Sequence, residues 1–301
     1  MNKKNNATGM SDKTSDIILV VATALIMLII AYPLYYVIVA SVSDPYDVYA
    51  GKTFLLPSQF TLDGYKAVFA DPNIPTGYLN SIKYTVIGTL YSVALIYLVA
   101  YPLSCKDLPG NKLISIFFVI TMYFSAGLIP WYMNLRMLGF LDNFWVYVIP
   151  GLVSPYNVIL VKTFIEGLPP ALEESATLDG AGYMRVFFSV IMPLITPILA
   201  TLCIFSAVGQ WNAFTDTMML MPSGKYYTLQ FLLYKYQNEA SSLAALVRNT
   251  QDSSTLANVA TKQTALSVRM TVAMVATFPI LLVYPFFQRY FVKGIMIGAV
   301  K

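Results

Sequence analysis

Apolar positions in this chain run in long blocks, not with the short alternation of strands. Six stretches contain no Asp, Glu, Lys or Arg: Ile17 to Ser43, Tyr84 to Cys105, Leu113 to Leu135, Asn143 to Val161, Val186 to Thr215 and Met270 to Gln288. A helix needs about 20 residues to cross the hydrocarbon core of a bilayer, and all six reach that length, the fourth and sixth only just. Strands of a membrane barrel would give shorter alternating segments. The expected fold is therefore all-α, a polytopic membrane helix bundle of six transmembrane helices. Pro33, Pro130, Pro150, Pro155, Pro193, Pro197, Pro279 and Pro285 lie inside the spans. Neighbouring helices or water can satisfy the carbonyls they free.

An even number of spans puts both termini on one side. Lys3, Lys4, Lys13, Lys106, Lys112, Lys162, Arg185, Arg289, Lys293 and Lys301 would share it. The basic residues opposite are spread over longer segments, so the bias near the helix ends favours cytoplasmic termini. The first span, although preceded by lysines, is too long for a signal-peptide core of roughly 7–15 apolar residues. The expected organisation is a cytoplasmic segment 1–16, a membrane domain 17–293 and a cytoplasmic tail 294–301. Two long segments, Asp44 to Ile82 and Asp216 to Arg269, then face outward. Turn pairs such as Asp44-Pro45 and Leu56-Pro57 fill the first, and an external loop 216–265 occupies most of the second.

Composition supports the membrane reading, because 57% of residues are hydrophobic and only 11% charged. Average soluble domains carry roughly 25% charged residues. No histidine is present, which removes His-based catalysis and His-metal sites. Cys105 and Cys203 lack any motif spacing and read as packing residues. The net charge of +4 is spread along the chain without a basic run, so nucleic acid is not an expected partner. Gly51-Lys52-Thr53 resembles the end of a P-loop, but Tyr46 stands where the pattern needs glycine. The chain is thus expected to hold no nucleotide, cofactor or metal of its own.

Between the fourth and fifth spans lies a loop, 163–186, with its own helical signals. Pro170 suits a first helical position, and Glu173 and Glu174 suit the positive end of a helix dipole. Ala176 offers a small face, and Gly180 can end or bend the helix. A short helix outside the bilayer, acidic and small on its exposed face, has the form of a docking knob for another protein.

This loop resembles the EAA motif of binding-protein-dependent ABC importer permeases. Glu174-Ser175-Ala176 is followed by Gly180 and then by Val190-Ile191-Met192-Pro193, with the spacing kept. The resemblance extends to Gly209-Gln210-Trp211-Asn212, to the ending 288–301, and to Ser43-Asp44-Pro45 and Leu62-Asp63-Gly64-Tyr65. These are similar to the carbohydrate branch of maltose-type and polysaccharide or lipo-oligosaccharide permeases. It implies a coupling helix seated in a cleft of an ATPase subunit, with Glu174, Ser175, Ala176, Asp179, Gly180 and Pro193 as coupling residues. It also implies as partners a second homologous permease, two ATPase subunits that bind ATP and Mg, and an extracytoplasmic solute-binding protein. The function implied is oligosaccharide import across the bacterial cytoplasmic membrane.

Sugar contact calls for aromatic faces and planar polar groups. Gln210, Trp211, Asn212, Tyr123, Tyr156 and Asn157 are the candidates for the translocation path, with Tyr132 and Asn134 in a looser set. Tyr132 and Trp131 better suit an interfacial aromatic belt. Asn157 and Gln210 equally suit hydrogen bonds between neighbouring helices. An ion-coupled secondary carrier is the alternative function. It usually needs an acid or base inside a span, and none of the six has one. An intramembrane enzyme would need paired acids or a Ser–Lys dyad at that depth.

Overall fold

The computed structural model describes residues 9–249 and 269–283. Among these the structure is helical, and a single isolated antiparallel bridge, Ser43 to Phe60, stands in place of strands. The all-α expectation holds. The long helices are α1 (Gly9–Ser41) and α4 (Asn73–Ser104), separated by α2 (Pro45–Tyr49) and α3 (Asp63–Ala70). Then come α5 (Asn111–Tyr123), α6 (Leu128–Met137), 3-10 turns Phe144–Tyr147 and Ile149–Gly151, and α7 (Pro155–Glu166). The chain continues through α8 (Ala171–Leu178), α9 (Tyr183–Arg185), a π-helical segment Val186–Ile191 and α10 (Met192–Leu194). Last are α11 (Thr196–Asn212), α12 (Thr215–Leu220), α13 (Leu229–Asn249) and an apolar helix α14 (Arg269–Val283).

Among the described residues, only α1 and α4 are long and apolar enough to cross a membrane as single helices. The third, fourth and fifth expected spans are each broken. α5 and α6 meet at 117°, Phe144–Gly151 and α7 at 45°, and Tyr183–Leu194 and α11 at 76°. Each break has a local cause. Gly127, at φ +84° before α6, takes a conformation that costs other residues strain. Ser154 is extended, as the residue before Pro155 must be. Pro193 and Pro197 flank Ile195, and each removes a backbone donor. Pro33 and Pro102, by contrast, sit within continuous helices.

The chain divides into two compact units, 1–70 with 236–275, and 71–235 with 276–301. In the first, α1 leaves its apolar side chains exposed from Ile17 to Ile38, as lipid contact requires. After α1 the chain turns back on itself. The Asp44 N–H donates to the Gln59 carbonyl (3.1 Å), and that of Thr61 to Val42 (2.9 Å). The Asp44 carboxylate accepts the Tyr46 and Asp47 N–H groups and so caps α2. Tyr65 of α3 and Ser41 share a hydroxyl contact of 2.9 Å.

In the second unit α4 packs on α7 and α11. Lipid is as apolar as a helix surface, so close packing must hold such helices together. The buried face of α4 accordingly includes the small residues Gly77, Ser81, Gly88, Ser92 and Ala100. Ile96, Ala100, Val158, Val161, Ile195 and Leu202 form the centre of one apolar cluster, all fully buried. A second cluster gathers Tyr84, Leu135, Val146, Tyr147, Leu220 and Met221.

Candidate functional site

α8 occupies the loop expected to hold it. Its exposed positions include Glu174, Ser175 and Asp179, while Ala176 is half-buried. Leu168, Ala176 and Ala181 pack against the apolar cluster of α4, α7 and α11, as do Cys105 and Leu108. This anchors one side of the knob and leaves the other free. Its end is built by hydrogen bonds, from Gly180 N–H to the Thr177 carbonyl and from Ala181 N–H to Ala176, both 3.0 Å. With Gly180 at φ +81°, this is a Schellman termination, which favours glycine.

The exposed side of the knob holds more than the acidic and small residues. Leu178 is 88% exposed, Tyr183 83% and Met184 74%. Large side chains left this bare are available for contact with another protein. Sequence reasoning missed them; their apolar character within an otherwise polar loop was the available signal. Pro193 lies in α10, beside the 76° bend.

A tyrosine from α4 ties this loop to the core. The Tyr97 hydroxyl donates to the Phe187 carbonyl at 2.6 Å, and the two rings stack at 4.2 Å. Phe187 lies in the π-helical segment that leads from the knob into α11.

The path candidates fall into separate settings. Trp211 is buried, donates its indole N–H to the Ala276 carbonyl at 3.0 Å and meets the Tyr78 ring edge to face. Asn212 is exposed, donates to Val208 at 2.9 Å and accepts from Gln230 at 3.0 Å. Gln210 lies against Gly88 of α4. A Cβ added to Gly88 would stand 2.6 Å from both Cδ and Nε2 of Gln210 and closer still to Oε1. The Gln210 Oε1 and the Thr85 and Thr89 hydroxyls are buried without hydrogen-bond partners. Tyr123 and Tyr156 are exposed, and the Asn157 backbone N–H caps onto Ser154. No hydrogen bond or ring contact among the described residues joins these three to the α11 group.

The segment expected as an external loop is ordered helix over much of its described part, in α12 and α13. A buried hydroxyl ladder supports it: Tyr147 to Thr217 (2.9 Å), Thr217 to Thr228 (3.0 Å), and Tyr147 to the Tyr226 carbonyl (2.7 Å). Asp142 accepts both the backbone N–H and the hydroxyl of Ser223. Asp216 sits half-buried beside them, and burial holds its carboxyl above the usual aspartate range. Residues 250–268 and 284–301, which include the rest of that loop and the family-like ending, lie outside the described residues. Among the described residues no cluster of His, Cys, Asp or Glu could hold a metal ion.

No family model matches the chain. It is 34% identical over 292 residues to the polygalacturonan/rhamnogalacturonan transport system permease protein YtcP of Bacillus subtilis (strain 168), covering 97% of this chain and 100% of that one. It also matches a chain of a bacterial ABC transporter involved in the import of the acidic polysaccharide alginate, with TM-score 0.81 and 29% identity over 97% of this chain and 100% of the other. A second solved structure is a bacterial alginate ABC transporter in complex with alginate pentasaccharide-bound periplasmic protein. One of its chains matches with TM-score 0.60 over 95% of this chain and 96% of its own; at 13% identity it speaks for the fold alone.

Proposed function

This chain belongs to the permease subunits of carbohydrate ABC transport systems, and on that premise we propose that it lines one half of an oligosaccharide import channel. As such a permease it carries no ATPase site of its own. A second permease, two ATPases holding ATP and Mg, and an extracytoplasmic binding protein complete the machine. Both termini and α8 lie in the cytoplasm, and six spans cross the membrane, each bent pair counting as one. The membrane domain is 17–293, flanked by cytoplasmic segments 1–16 and 294–301. The YtcP permease and the alginate transporter are named for acidic glycans, while other relatives at 24–26% identity are named for neutral oligosaccharides, so uronic-acid oligosaccharides are the first to test.

The observation that carries the reading is the knob. The motif spacing coincides with a helix anchored on one side, acidic and apolar on the other, and closed at the glycine. ATP-driven closure of the ATPases pulls the two coupling helices together and turns the cavity outward, and hydrolysis resets it. Glu174 acts there as an electrostatic latch, with Ser175, Ala176, Asp179 and Gly180 shaping the knob and Pro193 at the following bend. Gln210, Trp211, Asn212, Tyr123, Tyr156 and Asn157 line the path. For Gln210 the support is its buried amide oxygen, which has no hydrogen-bond partner where the side chain packs on Gly88.

Two substitutions test the knob. Gly180→Asp forces an L-residue into the left-handed region, at about 1–2 kcal/mol, and is expected to abolish uptake while membrane insertion stays normal. Glu174→Lys is expected to lower the amount of ATPase that co-purifies with the permease. Wild-type uptake by the first variant and undiminished ATPase recovery with the second would falsify the coupling assignment.

A further inference from the structure

The loop after α4 opens onto a groove that nothing above uses. It encloses about 710 Å³ between that loop, α5 and Lys162 of α7. Lys106, Lys112 and Lys162 line it together with Ile116, Val119 and Ile120. The floor is rigidly made, because the Asn111 amide donates to both the Leu103 and Cys105 carbonyls at 2.8 Å. Asn111 also accepts the Ser115 hydroxyl at 3.1 Å. These bonds fix the start of α5 against the end of α4.

The charges are unequal. Lys162 is matched by Glu166 at 2.6 Å, and Asp107 follows Lys106 in the loop. Lys106 and Lys112 are exposed, and no ion pair holds either among the described residues. The apolar wall is equally defined. Ile116, Val119 and Ile120 follow Lys112 at helical spacing and are 44%, 39% and 49% exposed. From Lys112 to Ile120 the helix rises about 12 Å, so cations stand at one end of an apolar strip that runs along a span.

We propose that this groove binds an anionic phospholipid of the inner leaflet, headgroup at Lys106 and Lys112 and acyl chain along Ile116, Val119 and Ile120. A soluble anion would satisfy the lysines and leave the apolar wall bare; a zwitterionic lipid would cover the wall but bring its own ammonium group beside the lysines, with no net negative charge to match them. Basic pockets on the cytoplasmic side of membrane helices suit anionic headgroups. Leu108 of the same loop packs into the cluster that carries Ala176 of α8, so the lipid would lie next to the coupling knob. The proposal rests on the orientation given above, with α8 in the cytoplasm.

The test uses the assembled complex in nanodiscs of equal phosphatidylcholine and phosphatidylglycerol, released into native mass spectrometry. Wild type is expected to retain phosphatidylglycerol over phosphatidylcholine. K106Q/K112Q should lose that preference by roughly tenfold or more, at about 1 kcal/mol per lysine near the surface, while K106R/K112R keeps it. K225Q, which removes a lysine that lies over the Tyr226 ring, should change nothing. Equal retention of the two lipids by wild type overturns the proposal, and so does an unchanged preference in K106Q/K112Q. Subunit stoichiometry read from the same spectra separates lipid loss from failed assembly. Cysteine labelling of D107C, in a background with Cys105 and Cys203 replaced by serine, separates the two readings when set beside the lipid preference of the wild type. Labelling from the cytoplasm with no lipid preference sinks only the lipid site, whereas labelling from outside alone sinks the orientation and the lipid site with it.

Discussion

Gly180 and Gly88 are small for opposite reasons. Around Gly180 nothing lies within 4 Å of an added Cβ, and its φ of +81° is the constraint. At Gly88 the backbone is ordinary helix and the space is already filled by the Gln210 amide. The first reason was legible in sequence, because a glycine after a short capped helix is a local signal. The second was not, since Gly88 and Gln210 meet only after α4 and α11 have packed. Asp216 was likewise visible as the first acid after the fifth span, but its burial was not. Its raised pKa means that the folded chain holds the proton more tightly than the unfolded one, so stability falls as pH rises through the acidic range. Asp216→Asn removes the cost of burying a carboxylate. It is expected to raise the melting temperature at pH 7, with the gain shrinking toward pH 4. A gain that is the same at both pH values, measured in one detergent, would show that burial of the charge is not the cause.

At the scale of elements, capping chemistry made α8 readable and tertiary packing made the rest unreadable. Pro170, Glu173, Glu174 and Gly180 define a helix through contacts a few residues apart. The π-helical segment Val186–Ile191 has no such signature. It is held from outside, where the Phe187 carbonyl accepts the Met192 N–H along the helix and the Tyr97 hydroxyl across it. Such segments often sit at functional positions, and this one joins the knob to α11. Tyr97→Phe deletes one hydrogen bond and keeps the ring stack, at about 1 kcal/mol, whereas Tyr97→Ala also empties a buried site, at about 3–5 kcal/mol. If Tyr97 transmits motion from the knob, the Phe variant should fold nearly as well as wild type yet transport less sugar per ATP hydrolysed. A transport-to-hydrolysis ratio equal to wild type in reconstituted vesicles would reduce Tyr97 to a packing residue.

For the whole molecule, five of the charge-free blocks coincide with α1, α4 and the three bent helix pairs, but the prolines did not tell breaks from continuous helix, since Pro33 and Pro102 lie inside unbroken helices. What block length could not carry was direction: 23 uncharged residues from Leu113 to Leu135 look like one crossing whether or not the chain doubles back. The 117° bend between α5 and α6 is the place where the two outcomes part. A broken span carries the chain through the membrane, so Asp107 before α5 and Gly139 after α6 lie on opposite sides. A re-entrant loop returns it, leaving both in the cytoplasm and reversing every later element, α8 included. Two features argue for crossing. Leu135, near the end of α6, packs in the cluster of Tyr147 and Leu220, which the hydroxyl ladder joins to Thr217, Thr228 and the Tyr226 carbonyl at the base of α13. Cys105 and Leu108, before α5, pack in the other cluster, with Ala176 of the knob. Single cysteines at 107 and 139 in a background with Cys105 and Cys203 replaced by serine should therefore differ. A membrane-impermeant maleimide added to intact cells is expected to label position 139 and leave 107 untouched until the cells are opened. Labelling of neither position in intact cells, and of both after opening, would turn α5 and α6 into a re-entrant pair and remove α8 from the cytoplasmic face.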